Sequence, residues 1–518
     1  MAVYRMRNRA QNYDWGSRWM VPALQTGDKS VSPTAEPVAE IWMGTHPRGP
    51  SSVEIDSRDA VLLSEILSRS GSGELPFLFK ILTAERGLSI QTHPTRAMAQ
   101  EGFEREEAQG IDIAAPHRTY RDRNHKPELL CAVDEFWGLR GFRPLRELQQ
   151  EMRGFAETLR QEAEETLNPL KEVLRRFVAD PSAQVWREVF ATLLRIAEAG
   201  EAVAVERALH VYCSGGSGDR RPGDSPAGGD APDRQNRYWW CRELMRQFPG
   251  DLGAAAPLYL NLVHLRPGEA VFLEAGVLHA YLYGAGVELM ASSDNVLRAG
   301  CTSKHVDRPE LLRTVQFTFD PPAVVEPISV PCGDGTLLRY RTEAQEFELV
   351  RFSLSSKLDG PQGPGGPQGP DGLHKPDGSV AAIGANGANG PDSPGSPDSP
   401  DSPDSPDSPG SPDSPESPDS AALGAHPRGV GMTFTKSGGA AIVLAVGGAV
   451  EVTARTSDSS RDSAGGTADS TKAVVLHSTE SALVDYETHQ VTLRGRSAAT
   501  VYVASVPGTI TCREGAAS

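Results

Sequence analysis

Ser89-Ile90-Gln91-Thr92-His93-Pro94 is the stretch on which the fold of this 518-residue chain turns. Residues two apart on a β-strand point to the same face, so Gln91 and His93 aim at one point. A second stretch, Asn124-His125-Lys126-Pro127-Glu128, does the same with Lys126 and Glu128. Far downstream, Gly276-Val277-Leu278-His279-Ala280 adds another imidazole at the kind of turn that ends a strand. An amide oxygen, two imidazoles and a carboxylate make a plausible zinc-type ligand set. If they converge, the chain holds a metal inside a β-barrel, and the lysines and arginines beside them suit an anionic substrate.

Outward from these stretches, residues 75–82, 88–92 and 129–133 read as buried strands, with a helix over 95–109 after Pro94. Pro127, just ahead of the third run, suggests a strand start, edge or bulge. From Leu145 the apolar spacing changes. Leu145, Leu148, Met152, Phe155 and Leu159 recur at three and four residues, the stripe of an amphipathic helix. Further helices are expected over 169–178, 183–197, 202–212 and 238–248. The stripe is too short for a partner-binding coiled coil, so a helical insert packed on the sheets is the reading. Strand signals return at 258–265, 270–273, 280–283 and 287–290, around a Pro267-Gly268 turn. Shorter strands follow at 347–352, 441–446, 473–476 and 500–503.

The expected fold is mainly β, with cupin or jelly-roll barrels and an inserted α-helical domain. The catalytic part covers 1–143 and 256–315, and the helical insert 144–255, with a Gly/Asp/Pro/Arg-rich mobile loop at about 214–233. A C-terminal β domain covers 316–358 and 426–518. Between its two parts, 359–425 holds Gly-Pro-Gln and then Pro-Asp-Ser repeats, a composition that cannot bury a core. Residues 456–470, rich in Ser, Asp and Gly, read as another loop.

A formal net charge of -17 argues against a nucleic-acid binder or a polybasic membrane anchor. The six cysteines are scattered singly with no CxxC pair, so neither a cysteine metal site nor a disulfide framework is expected. The first residues lack the apolar run of a signal peptide, and no stretch is long and apolar enough to span a bilayer. A reducing cytoplasm, and a monomer or weak oligomer, are the expectations.

Each candidate has a structural alternative. A single glutamine or histidine in a strand is usually structural, and His279 could be a hydrogen-bonded histidine at a barrel rim. Glu128 borders the apolar run Leu129-Leu130-Cys131-Ala132-Val133, where a carboxylate is costly unless paired or metal-bound. Its alternative is a salt bridge to Lys126 or Arg123. Lys80 interrupts another apolar run and either snorkels or faces a polar cavity. Glu288, inside the strand at 287–290, needs a partner for the same reason as Glu128. Asp294 could simply brace the loop that leads to Arg298 and Lys304.

Several separated stretches together make the chain resemble the type I phosphomannose isomerases, zinc-dependent enzymes of the cupin class. These are Gln11-Asn12-Tyr13-Asp14-Trp15-Gly16, Ala39-Glu40-Ile41-Trp42-Met43-Gly44-Thr45-His46-Pro47, residues 88–94, Tyr120-Arg121-Asp122-Arg123-Asn124-His125-Lys126-Pro127-Glu128, residues 276–282 and residues 293–304. The resemblance covers residues 1–320 well and the C-terminal strands weakly. It implies one zinc per chain, held by Gln91, His93, Glu128 and His279. It implies an active-site arginine at Arg298 and further pocket residues at Lys80, Ser89, Lys126, Glu288 and Lys304. The chain departs from the family at the Pro-Asp-Ser tract, at the loop after Cys213 and at Thr302-Ser303-Lys304, where the family often has proline before lysine.

The implied reaction interconverts mannose 6-phosphate and fructose 6-phosphate through a cis-enediol, feeding mannose and GDP-mannose metabolism. Arg298 would stabilise and position the reacting oxygens. Lys126 is the candidate for proton transfer, with Glu288 and a metal-bound water competing. Lys80, Ser89 and Lys304 are candidates for phosphate or hydroxyl contacts. The alternatives are a metal-dependent cupin oxygenase and a non-catalytic sugar-phosphate-binding cupin.

Overall fold

Phe77-Leu78-Phe79-Lys80-Ile81-Leu82 lies in the strand Phe77–Ala84, buried along its whole length. In the computed structural model the described residues are 3–55, 60–69, 71, 73–215, 232–332, 335–354, 431–461, 467–486 and 488–512. They form three antiparallel sheets, of ten, nine and five strands, and none of these closes on itself. The tract at 359–425 lies outside the described residues, as does most of the loop at 214–233.

The ten-stranded sheet runs in the order Val324–Val325, Ala270–Leu273, Glu128–Phe142, His279–Ala291, Phe77–Ala84, Glu40–Met43, Arg9–Gln11. Ile90–Thr92 joins it beside His279–Ala291, Leu297–Gly300 pairs with Ile90–Thr92, and Leu260–Leu265 pairs with Glu128–Phe142. The expected strands at 280–283 and 287–290 are one strand, with register shifts near Tyr281 and Gly284. The nine-stranded sheet carries most C-terminal strands and also the N-terminal strand Val3–Arg7, which pairs with Ser481–Val484.

Period-two alternation assigns the two faces of the ten-stranded sheet. Phe77, Phe79, Ile81, Leu129, Cys131, Val287 and Leu289 pack with Tyr340, Leu349, Ile442, Leu483 and Tyr502 of the nine-stranded sheet. Lys80 and Glu288, which alternate with them, and Glu128, one residue before Leu129, therefore face away from that core and line one cavity. A second core fills the space between the nine- and five-stranded sheets, around Val350, Phe352, Val443, Val503, Phe434 and Leu493.

The expected helices form as Leu145–Arg160, Asn168–Ala179, Ala183–Glu198, Ala202–Cys213 and Arg237–Gln247. Leu148, Met152, Phe155 and Leu159 are the buried stripe of the first. They join Phe142, Trp186, Phe190, Leu209 and Trp240 in one core that also takes Ile90 and Leu139 from the sheet. This buried area fixes the helices against the strands that carry the candidate ligands.

Two expectations are corrected. Residues 456–470 are not simply a loop. The strands Val450–Arg461 and Thr467–Leu476 pair through them, with Thr456 opposite Ser470. A backbone ladder is indifferent to whether the side chains it carries are polar, so pairing begun at Val450 and Leu476 continues outward. Cysteine spacing also misled: Cys332 and Cys512, 180 residues apart, form a disulfide. Each ends an edge strand, one in the nine-stranded and one in the five-stranded sheet. Such a pairing is invisible in local spacing. Cys131, Cys213, Cys241 and Cys301 are free and buried.

Candidate metal centre and its cavity

Thr95 caps the helix Arg96–Ala108 by accepting from the Met98 N–H, and so ends the extended segment that carries Gln91 and His93. Gln91 is opposite His279 on one neighbouring strand and opposite Arg298 on the other. This register puts an amide, an imidazole and a guanidinium side by side. Gly276 makes the turn before His279 at φ 84°, a conformation that favours glycine. A Cβ there would lie 2.6 Å from Gln316 Cγ. The Gly276 N–H also donates to the His93 carbonyl at 2.8 Å, tying the two histidine segments together.

His93, Glu128 and His279 converge, all buried, with one ligand atom from each lying within 4.8 Å of the others. The His93 ring donates from Nδ1 to the Asn295 carbonyl at 2.8 Å. His279 donates from Nδ1 to the Val277 carbonyl at 3.0 Å. A carbonyl only accepts, so each ring carries its proton on Nδ1 and turns a bare Nε2 lone pair inward. Those nitrogens lie 3.4 and 3.3 Å from the oxygens of Glu128. Three acceptors thus face one another, and His93 Nε2, His279 Nε2 and Glu128 Oε2 are left without a hydrogen bond. Such an arrangement is costly unless a cation sits among them. Burial pushes the His93 imidazole down to about 4, so the ring is neutral, as a metal ligand must be. Burial alone would raise the Glu128 carboxyl. Lys126, with Nζ 2.8 Å from Oε1, holds it well below the usual carboxylate range. The donor set therefore fits a divalent cation, with the Gln91 amide on the adjoining strand.

Above this centre opens a cavity of about 1040 Å³. Its walls include Gln91, Glu128, Lys126, Lys80, Glu288, Ser89, Arg298 and Lys304. Lys80 is opposite Glu288 and Trp42 in the sheet. Its ammonium donates to Glu288 at 2.8 Å and Glu40 at 3.1 Å. The Tyr281 hydroxyl donates to the other Glu288 oxygen at 2.8 Å, and the Trp42 indole to Glu40 at 2.9 Å. Burial would lower the Lys80 pKa, but the two carboxylates raise it, whereas burial raises the Glu288 carboxyl against the pull of Lys80.

Arg298 and Lys304 differ from Lys80. Among the described residues neither has a carboxylate partner. Burial lowers the pKa of Lys304, and the positive charges of Arg298, Arg48 and Arg121 push it the same way. Arg298, Lys304, Arg48 and Arg121 gather on one wall, where Asp294 beside Arg48 offsets only part of the charge and an anion would offset the rest.

Sequence reasoning did not assign roles to His46, Arg48, Arg121 or Asn295. Asp294 stands 3.5 Å from His46 and 3.3 Å from Arg48, facing the cavity instead of only bracing its loop. Asn295 is a hub. Its side chain accepts from the Arg121 N–H at 2.7 Å and donates to the Asp122 and Asn124 carbonyls at 2.8 Å, while its carbonyl orients His93. The quoted motifs contain His46 and Arg121 but carry no signal for these contacts.

A family model for the phosphomannose isomerase type I catalytic domain matches residues 3–145. The mannose-6-phosphate isomerase of Escherichia coli (strain K12) is 35% identical over 367 residues, 68% of this chain and 85% of that protein. The Homo sapiens protein of the same name is 34% identical over 332 residues, 61% of this chain and 73% of its own length. A crystal structure of zinc-bound mannose 6-phosphate isomerase superposes with a TM-score of 0.66 at 25% identity, covering 98% of this chain and 100% of that one. The Salmonella typhimurium enzyme, bound to fructose 6-phosphate and zinc, shares the fold with a TM-score of 0.66 at 24% identity, over 98% and 100% of the two chains.

Proposed function

This chain belongs to the type I phosphomannose isomerase family, and from that premise we propose how its own residues interconvert mannose 6-phosphate and fructose 6-phosphate. The observation that carries the reading is the trio of buried acceptors, His93 Nε2, His279 Nε2 and Glu128 Oε2, left without a hydrogen bond beside a cavity whose walls include Lys80, Lys126, Arg298 and Lys304. Gln91, His93, Glu128 and His279 would hold one zinc. When bound, the metal supplies Lewis acidity to the oxygens at C1 and C2 of the opened sugar.

The remaining steps fall to the protein. Arg298 sits one strand from Gln91, where its guanidinium would donate to the reacting oxygens as charge develops. Lys126 is our choice for moving the proton between C2 and C1. Both oxygens of Glu288 are occupied by Lys80 and Tyr281, which favours it as an anchor over a free base. Lys80, held by two carboxylates, and Ser89 on the cavity wall would meet sugar hydroxyls. Lys304, which has no carboxylate partner among the described residues, would meet the phosphate.

We further propose that the ten-stranded sheet is the cupin-type catalytic domain, that 144–255 is its helical insert, and that 316–358 with 426–518 form a C-terminal β domain. The helical core that encloses residues 145–260 supports the second of these. A monomer or weak oligomer working in the cytoplasm is our expectation, and its product would feed mannose and GDP-mannose metabolism. The test is a coupled assay with mannose 6-phosphate. Chelation should abolish turnover and zinc should restore it; turnover that survives complete metal removal refutes the assignment.

A further inference from the structure

Glu346 belongs to the short segment between Gly335–Tyr340 and Glu348–Leu354 of the nine-stranded sheet, yet it reaches the catalytic sheet. Its neighbours Ala344 and Phe347 are buried in the core between the two sheets, which fixes the segment in place. Glu346 is itself 8% exposed. Its Oε1 accepts from His125 Nε2 at 2.7 Å and also from the Arg96 guanidinium. Arg96 lies 2.8 Å from the same ring nitrogen, so both donors converge on one carboxylate oxygen. The other oxygen takes the Gln345 N–H at 3.2 Å.

The two donors are not arbitrary. Arg96 stands three residues after His93, and His125 stands three residues before Glu128 and next to Lys126. One carboxylate therefore grips both chain segments that leave the metal centre. Lys126 is the next residue along the chain, so holding His125 restrains the backbone that carries it, and its Nζ meets Glu128 at 2.8 Å.

We propose that Glu346 is a positioning residue of the isomerase, a clamp from the C-terminal lobe that keeps Lys126 aimed at the reacting carbons by way of His125. This rests on the isomerase reading above. A misplaced proton carrier slows turnover steeply while leaving ground-state binding intact. In the zinc-loaded full-length protein, Glu346→Ala should lower kcat per bound zinc about tenfold, with KM for mannose 6-phosphate within about twofold of wild type. Glu346→Gln keeps an oxygen that accepts from both donors and should recover most of that loss. The Glu346→Ala and His125→Ala effects should not add in the double variant. A role in folding alone would lower zinc content and active fraction together and leave kcat per zinc unchanged; that result overturns the clamp. So do full additivity and a Glu346→Ala enzyme with wild-type kcat. Wild-type protein assayed alongside separates the two claims: if it turns over and the variants behave otherwise, only the clamp fails, whereas an inert zinc-loaded wild type sinks both.

Discussion

Lys80→Met is the most searching test of how the cavity is built. The substitution keeps an unbranched side chain one atom shorter and removes its charge. Lys80 is buried and bridges Glu288 at 2.8 Å and Glu40 at 3.1 Å. Taking one partner from a buried ion pair costs about 3–5 kcal/mol, because the remaining charge stays desolvated. Glu288 can escape part of that cost by taking up a proton. Burial already raises its pKa, with Lys80 opposing, so losing Lys80 raises it further. The sign follows. A carboxyl whose folded-state pKa lies above its unfolded value contributes stability that is present at low pH and lost as pH climbs through the folded pKa. The variant's deficit should therefore grow with pH, by about 1.4 kcal/mol per unit across the window between the old and new Glu288 pKa values. Denaturant unfolding of both proteins at several pH values reads this directly. Adding Glu288→Gln to Lys80→Met should recover roughly half the loss or more, since it removes the stranded charge. A deficit below about 1 kcal/mol, a deficit that does not change with pH, or a double variant less stable than the single would refute the reasoning.

His279→Ala should lose bound zinc, measured by elemental analysis, and turnover with it, while the helical insert keeps its circular dichroism. Asn295→Ala leaves the carbonyl that orients His93 but removes the side-chain bonds that hold it. Zinc affinity, read by chelator competition, should fall about 10- to 100-fold. Removing residues 359–425 should leave kcat and KM within about twofold, because a tract of this composition supplies no packed core; a collapse of activity in a folded protein would show that it is more than a spacer.

The parts of this protein that could be read locally share one property, a short period. Alternation by two set Lys80 and Glu288 against their apolar neighbours. Spacing by three and four foretold Leu145–Arg160 and the helices after it. Composition misleads at 456–470, where polarity reads as a loop although Thr456 pairs with Ser470.

What neither period nor composition carries is which distant residues meet. His93 owes its tautomer to a carbonyl 202 residues away, and His125 its anchor to a carboxylate 221 residues away. Cys332 finds Cys512 across 180 residues. These contacts exist because packed sheets bring separate edges and loops to the same place, and sheet order is settled by burial summed over whole faces. Sequence alone told which side chains point together along each strand. Only the tertiary structure decided that three bare acceptors would face one another in a buried cluster, and that Lys80 would be held between two carboxylates.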